Sequence, residues 1–318
     1  MVLILSNLRG VGACRLNMGW TWVDVPNKEV PCDGYVIAYQ AHGDLSPGAA
    51  RVMGMHGMPG SRIRPLFAPA LLEAAGVNLV MPDRLGYGKS SRRIGRTIAD
   101  SADMARRVAD DLGWDTFAVV GHSGGVASAL ACAALLPERV SEAHCSNGMA
   151  PMRAMGPAWF EGMAPRNARV FSPAITDAEA MRMIDQEAFS LKIDSGRLLR
   201  GLRKEIAQTD HAYLDDSAEW NSLQESHDEA VRQGTGGWVD DVLALRRDWG
   251  FSLSDIRVPV HFAQAAEDRF TPVAHAKWMQ QQIPGSTLEI VSGLPHFAPA
   301  LSILGRLAAG RRLHFAKE

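Results

Sequence analysis

Hydrophobic and polar positions along this chain follow two rhythms. From about residue 20, short apolar runs alternate with stretches in which apolar residues recur every three or four positions. Residues 21–25 and 35–41 read as strands separated by a Pro/Cys/Asp/Gly turn at residues 31–34. Residues 51–55 and 77–81 are the next two runs, with a helical pattern over 66–75 between them. Over residues 97–112, Ile98, Met104, Ala105, Val108 and Leu112 share one side while Arg and Asp occupy the other, which predicts an amphipathic helix. Residues 117–120 form a buried strand running into Gly121, and 124–136 an Ala-rich helix stopped by Pro137. Residues 140–145 give the sixth strand. Alternation this regular predicts a mostly parallel sheet with helices on both faces.

The rhythm breaks near Gly148. Residues 150–237 contain no convincing strand and read as helices joined by Pro- and Gly-containing turns. It returns near Trp238 with a helix to Trp249, a run at 258–262, a helix over 272–282, a run at 287–291 and a last helix to about Arg312. No internal repeat or low-complexity tract interrupts it. The economical organisation is one α/β core, residues 1–149 and 238–318, with a helical insertion over 150–237.

Composition narrows the classes. The 318 residues can bury roughly 75% of their unfolded surface, and 47% apolar with 21% charged residues excludes wholesale disorder. A formal charge of −2 gives no electrostatic footprint for nucleic acid or an acidic membrane. The longest apolar stretch, 127–136, is interrupted by Ser128 and falls short of the ~18 residues of a membrane span. Residues 1–5 are apolar but lack the charged leader and cleavage site of a signal peptide. Cys14, Cys32, Cys132 and Cys145 show no CxxC pair and fit free thiols in a reducing compartment. The expectation is a soluble, cytoplasmic enzyme or small-molecule binder.

The chemistry centres on Gly121-His122-Ser123-Gly124-Gly125, a G-x-S-x-G sequence placed between a strand and a helix as a nucleophile elbow requires. Such a turn strains the serine backbone and leaves little room for neighbouring side chains; Gly121, Gly124, Gly125 and Ala127 supply that room. His56-Gly57-Met58-Pro59-Gly60-Ser61 follows the third run, and Asp83-Arg84-Leu85-Gly86-Tyr87-Gly88-Lys89-Ser90 follows the fourth. Together these segments resemble the α/β-hydrolase superfamily, as its HGxPG and D-x-x-G-x-G-x-S turns. The resemblance covers most of residues 35–145 and 238–300. It implies the α/β-hydrolase fold, with residues 150–237 as a helical cap inserted after the sixth strand.

A serine hydroxyl is a poor nucleophile at neutral pH and needs a base that is itself oriented by a carboxylate. The resemblance places both downstream of Ser123, in the order acid then histidine. Asp268, in Ala265-Ala266-Glu267-Asp268-Arg269-Phe270-Thr271-Pro272, matches the family's G-x-x-D-x-x-x-P with Ala265 for glycine; Glu267 is the alternative acid. Asn147 stands where some relatives carry the acid, and an amide cannot serve. His296, in Gly293-Leu294-Pro295-His296-Phe297, resembles the family's G-x-G-H with Pro295 for the second glycine. His56 and His122 match structural positions of their motifs, His144 and His261 lie on strands, and His42, His211, His227, His275 and His314 read as surface or packing residues. Two backbone donors are needed for an oxyanion. The resemblance implies Gly124 for one and the loop at residues 56–60 for the other; in that loop Pro59 lacks an N–H, which leaves Met58 as the most natural donor.

No HExxH, DxDxDG, paired Cys/His or GxxxxGK[ST] spacing is present, so neither metal nor other cofactor is expected. Serine at the elbow also differs from the Asp of epoxide hydrolases and haloalkane dehalogenases, and the elbow Trp of proline iminopeptidases is absent. The resemblance therefore implies a serine hydrolase acting through an acyl-enzyme on a small-molecule ester, lactone or related acyl compound. Other chemistries of the same residues (C–C, amide or peptide hydrolysis, perhydrolysis) and a non-catalytic binding module are the alternatives. Met149, Met152, Met155, Met163, Met181 and Met183, with Trp159, Phe160 and Phe171 among them, suit either an adaptable apolar pocket or the seal between cap and core. The pocket reading leads to a medium-sized, largely apolar substrate.

Overall fold

Side chains of the central strands are buried on alternating faces, as a sheet covered on both sides requires. In the computed structural model, which describes residues 27–314, β3 (Ala50–Met55), β4 (Val77–Pro82) and β5 (Phe117–His122) send Met53, Val80 and Val119 to one face and Val52, Leu79 and Val120 to the other. The first set packs on α2 (Asp100–Asp111) and α3 (Gly125–Leu135); the second packs on α1 (Pro69–Ala75) and α11 (Leu301–His314). Helix α2 buries Met104, Ala105 and Val108 and turns Arg106 and Arg107 outward to pair with Asp103. Helix α3 is buried from Gly125 to Ala133, which is why its sequence shows no polar side.

The sheet has eight strands in the order β1-β2-β4-β3-β5-β6-β7-β8. Here β1 is Lys28–Cys32, β2 Tyr35–Gly43, β6 Val140–Ser146, β7 Val260–Ala265 and β8 Thr287–Val291. The pairs β1–β2 and β2–β4 are antiparallel and the rest parallel. Between β6 and β7 the chain runs through α4 (Met152–Met155), a 3-10 turn at Gly156–Phe160, α5 (Pro165–Phe171), α6 (Asp177–Leu202), α7 (Gln208–Leu214), α8 (Ser217–Ala230) and α9 (Gly236–Arg246). Helix α10 (Val273–Gln282) joins β7 to β8. Among the described residues, no helix is long and apolar enough to cross a membrane.

Several boundaries differ from the sequence expectation for local reasons. The expected strand at 21–25 lies outside the described residues. Lys28–Cys32, whose last two residues fall within the turn expected at 31–34, is an edge strand that tolerates Pro31, and only Asp33 and Gly34 form the turn. Helix α1 starts at Pro69, three residues late, because the residue before a proline is pushed to extended backbone (Ala68 ψ 137°). Helix α2 starts at Asp100, whose carboxylate takes the Thr97 amide at 2.6 Å. Strand β7 starts at Val260, since Pro259 has no N–H for the ladder.

The crossing of β5 into α3 is packed backbone against backbone. A Cβ on Gly125 would stand 2.1 Å from the Met55 carbonyl oxygen and 2.5 Å from that of His56, both immovable backbone. Gly125→Ala is therefore expected to lower unfolding stability by about 3 kcal/mol. Gly305→Ala, in α11 with open space around it, should instead be neutral or stabilising by up to ~1 kcal/mol. Urea unfolding of the two variants checks the contrast, and equal losses would overturn the packing argument.

Candidate active site

Ser123 lies at the carboxyl end of β5, where the chain must reverse into α3 within two residues. It adopts φ 52°, one of two described non-glycine residues with positive φ, a conformation an L residue holds only when its surroundings enforce it. The enforcement is visible: its amide donates to Ser146 O at 2.9 Å, and a Cβ on Gly121 would meet Gly125 O at 2.6 Å and Ala129 Cβ at 2.8 Å. The hydroxyl is thereby lifted, partly exposed, above the sheet edge.

His296, 173 positions away in sequence, comes to this hydroxyl, with Nε2 3.1 Å from Ser123 Oγ. Its Nδ1 donates to Asp268 Oδ2 at 2.8 Å, which leaves Nε2 as the acceptor of the serine O–H. Asp268 stands in the loop after β7 and is itself fixed. Oδ1 accepts from the Phe270 and Thr271 amides at 2.8 and 3.1 Å, and Oδ2 from Thr271 Oγ1 at 2.6 Å. Glu267, the alternative acid, is exposed and takes the Gly293 amide at 3.1 Å instead. Asn147, with φ 51°, holds the same corner together. Its Nδ2 donates to His296 O at 3.1 Å while its Oδ1 accepts from Ala265 N at 2.8 Å. The amide that cannot act as the acid thus pins the histidine loop to the end of β7.

The loop after β3 approaches the serine from the other side. A Cβ on Gly124 would stand 2.8 Å from Met58 Cβ and 3.7 Å from Met58 N, so the two backbones face each other across the elbow. Neither amide donates to another described residue. Three buried groups hold this loop. His56 Nδ1 donates to Gly57 O at 2.8 Å and its Nε2 accepts from Arg84 N at 3.1 Å. The Arg84 guanidinium donates to His56 O and, at 3.1 Å, to Gly57 O. Asp241 of α9 then neutralises Arg84 and Arg96 and accepts from Tyr87 Oη at 2.8 Å.

A family model of the alpha/beta hydrolase fold matches residues 51–301. The chain is 25% identical over 269 residues to 2-hydroxy-6-oxononadienedioate/2-hydroxy-6-oxononatrienedioate hydrolase 2 of Pseudomonas putida, covering 81% of this chain and 85% of that one. Among solved structures it resembles an enol-lactonase from Burkholderia xenovorans LB400, with a TM-score of 0.62, 15% identity and coverage of 92% and 100%. It also resembles a thermophilic esterase from Thermogutta terrifontis, with a TM-score of 0.62, 16% identity and coverage of 92% and 98%. The chain belongs to the α/β hydrolase fold family. At this coarse level it is a hydrolase.

In this hydrolase, Ser123 and His296 open onto a cavity of about 150 Å³ whose walls also carry Arg64, His122, Arg166 and His227. The wall charges are paired, Arg166 with Glu187 at 2.7 Å and Arg64 with Glu219 at 3.2 Å. The expected methionine–aromatic lining is mostly absent. Met149 reaches the cavity, but Met163 and Trp159 are core residues, Met152 and Phe160 line a separate groove and Met181 is 38% exposed. Trp159 donates to Ala150 O at 2.7 Å and packs on Phe160, Phe171 and His275, so this cluster seals the helical segment to α10 and the loop after β6. His275 and His227, read as surface or packing residues, divide. His275 is buried between the Ala150 amide and the Trp159 carbonyl, while His227 faces the cavity. Arg84 and Asp241 escaped notice, although two acids in the apolar stretch Trp238-Val239-Asp240-Asp241-Val242 already signal a buried pairing partner. Among the described residues, no group of three or more His, Cys, Asp or Glu has the placement of a metal site.

The imidazoles differ in basicity. Burial alone lowers the His296 pKa, but the charge and hydrogen bond of Asp268, with Asp210 adding, outweigh it and hold the ring above its ordinary 6.5. Burial raises the Asp268 carboxyl, and the pull of His296 with the bonds from Thr271 reverses this and keeps it below 3.8. His122 falls to about 3 and His227 to about 4, chiefly by burial, so both stay neutral. Histidine-resolved NMR titration should place the His296 midpoint above 6.5 and move it down in Asp268→Asn, with no titration of His122 or His227 between pH 5 and 8. A His296 midpoint at or below 6.5 in the wild type would overturn the assignment.

Proposed function

We propose that the hydrolase cleaves a small carboxylic ester or lactone through a covalent acyl-enzyme on Ser123. The observation that carries this reading is the continuous path Ser123 Oγ–His296 Nε2 (3.1 Å), His296 Nδ1–Asp268 Oδ2 (2.8 Å), set beside two uncommitted backbone amides. Ser123 Oγ attacks the carbonyl carbon as its proton passes to His296 Nε2. The Met58 and Gly124 amides hold the tetrahedral oxyanion, and the Arg84–Asp241 cluster keeps the Met58 loop from relaxing away from it. Asp268 stays ionised, fixes the tautomer and stabilises the imidazolium. The imidazolium gives its proton to the leaving alcohol; a water then repeats the attack on the acyl group, His296 accepting its proton, and free acid and Ser123 are restored.

Residues 150–237 act in this reading as a cap over the cavity. A volume of about 150 Å³ beside Ser123 favours a short acyl group over the medium-sized apolar one that the methionine-rich segment suggested. Polar walls at Arg64, Arg166 and His227 favour a substrate with a polar end. They also favour a second reading, hydrolysis of an oxo-acid akin to the substrate named for the Pseudomonas putida relative, by the same serine and histidine. The free thiols Cys32, Cys132 and Cys145 suit a cytoplasmic setting.

Treatment with a fluorophosphonate probe, followed by mass-spectrometric mapping, tests the reading. The adduct is expected on Ser123, absent in Ser123→Ala and formed at least ~10³-fold more slowly in His296→Ala. A folded wild type that takes no label would favour a non-catalytic binding module. With p-nitrophenyl esters, kcat/KM should be at least ~10-fold higher for acetate than for octanoate. The reverse order would overturn the size argument, and turnover of an oxo-dienoate with neither ester would favour the second reading.

A further inference from the structure

We infer that Asp210, carried by cap helix α7, is a second positioning carboxylate for His296 and makes the competence of the Ser123–His296 pair depend on the seated cap. The inference rests on the proposed role of that pair and extends it to a residue outside the Ser–His–Asp path.

The backbone of His296 cannot hold itself. It lies in a loop between β8 and α11 with no ladder to satisfy its amide. Asp210 Oδ1 accepts that amide at 2.5 Å, across 86 positions of sequence. Each polar atom of His296 is thus bound to a different part of the fold. The amide goes to α7, the carbonyl to Asn147 after β6, Nδ1 to Asp268 after β7 and Nε2 to the elbow. Three of these partners belong to the α/β core; only Asp210 belongs to the cap.

Asp210 is 1% exposed, and its second oxygen, Oδ2, is buried with no hydrogen-bond partner among the described residues. A carboxylate oxygen left unpaired in the interior costs on the order of 1–3 kcal/mol or more. Pure packing would not retain such a group, since an asparagine or serine could accept the same amide. A nearby cation offsets the cost, and the cation that forms here is the His296 imidazolium. The groups facing His296 are Asp268 from the loop after β7, Asp210 from α7, the neutral His122 ring at 5.5 Å, and, farther along the cavity wall, Arg64. Asp210 is faced in turn by His296 and Asp268. Burial pushes its carboxyl pKa up, the positive histidine draws it down, and the net shift is upward. Its charge is therefore best accommodated when His296 carries the serine proton.

The apolar contacts point the same way. Tyr213, one turn along α7, stacks on Phe297 with ring centres 6.4 Å apart and planes 14° apart. Ile206, Leu214 and Leu223 of the cap form one buried cluster with Phe270 of the acid loop. Phe270 in turn lies 4.8 Å from the His296 ring. If α7 leaves, the His296 loop loses its amide acceptor, its second carboxylate and the rings that back it.

Asp210→Asn keeps an acceptor for the His296 amide and removes the charge, whereas Asp210→Ala removes both. In Asp210→Asn, the NMR titration of His296 should move to lower pH by about one unit, with the acid limb of fluorophosphonate labelling following it. In Asp210→Ala, labelling of Ser123 and kcat on p-nitrophenyl acetate should fall at least ~10-fold, KM should stay within ~3-fold, and Asn at this position should restore most of the rate. Unchanged His296 titration in Asp210→Asn, or a folded Asp210→Ala that labels at the wild-type rate, overturns the inference. The titration needs no turnover. If wild-type Ser123 takes no label, the proposed function has failed, while a shift of His296 in Asp210→Asn still tests Asp210.

Discussion

At Ser123 the chain must leave a strand buried on both faces and enter a helix buried on nearly every side, and it does so through a backbone conformation that an L residue avoids. The strain is held because Gly121 lets α3 close on β5 and Gly125 lets α3 come within contact of the Met55 and His56 carbonyls. That approach also sets the site. It presents the Ser123 hydroxyl above the sheet edge, and it brings the loop after β3 against Gly124. A looser elbow would displace the Ser123 hydroxyl and the Met58 loop together, because the same packing positions both.

Electrostatics at this edge follow from burial. Asp83, Asp241, Asp268 and Asp210 are all buried, and each has a partner drawn from a distant segment. Arg62 pairs with Asp83 at 2.6 Å, and Arg84 and Arg96 with Asp241. Breaking such a pair strands a charge in the interior at a cost of about 3–5 kcal/mol. These pairs therefore fix geometry more than they add net stability. Arg62 also reaches Glu229 of α8 at 2.5 Å, and Ser61 Oγ lies 3.0 Å from Ser226 Oγ, so the segment after the nucleophile-facing loop is tied to the helices above it.

How much of this was legible in the sequence depends on the range of the interaction. The elbow, the two turns at His56 and Asp83, and the order of Ser123, Asp268 and His296 are local motifs, and the structure brings those three side chains into one hydrogen-bonded path. The short apolar runs located the central strands to within a few residues. The misses have two physical sources. Prolines at 69 and 259 moved element boundaries by rules that act on single residues, and Pro31 suggested a turn where an edge strand tolerates it. The methionine–aromatic segment was ambiguous because sealing a helix to a sheet and lining a pocket call for the same residue types. Arg84–Asp241 and Asp210–His296 join positions 157 and 86 apart, and no periodicity records such a pairing; only the oddity of acids within an apolar helix marks Asp241.

The contacts of α7 and α8 bear on how the proposed cap would affect turnover. If α7 and α8 merely covered the site, opening them would admit a substrate while leaving the reacting groups assembled. Here one cap carboxylate bonds the His296 amide, cap side chains pack with Phe270 and Phe297, and Glu219 and Glu229 pair with the arginines of the loop after β3. If residues 150–237 open to admit substrate, as the proposed cap would, both sides of the elbow loosen at once, and entry and the proposed chemistry become alternating states of one element. Under this coupling, a substrate too long to let α7 seat would be penalised in kcat as well as in binding, so discrimination by size would appear in the chemical step.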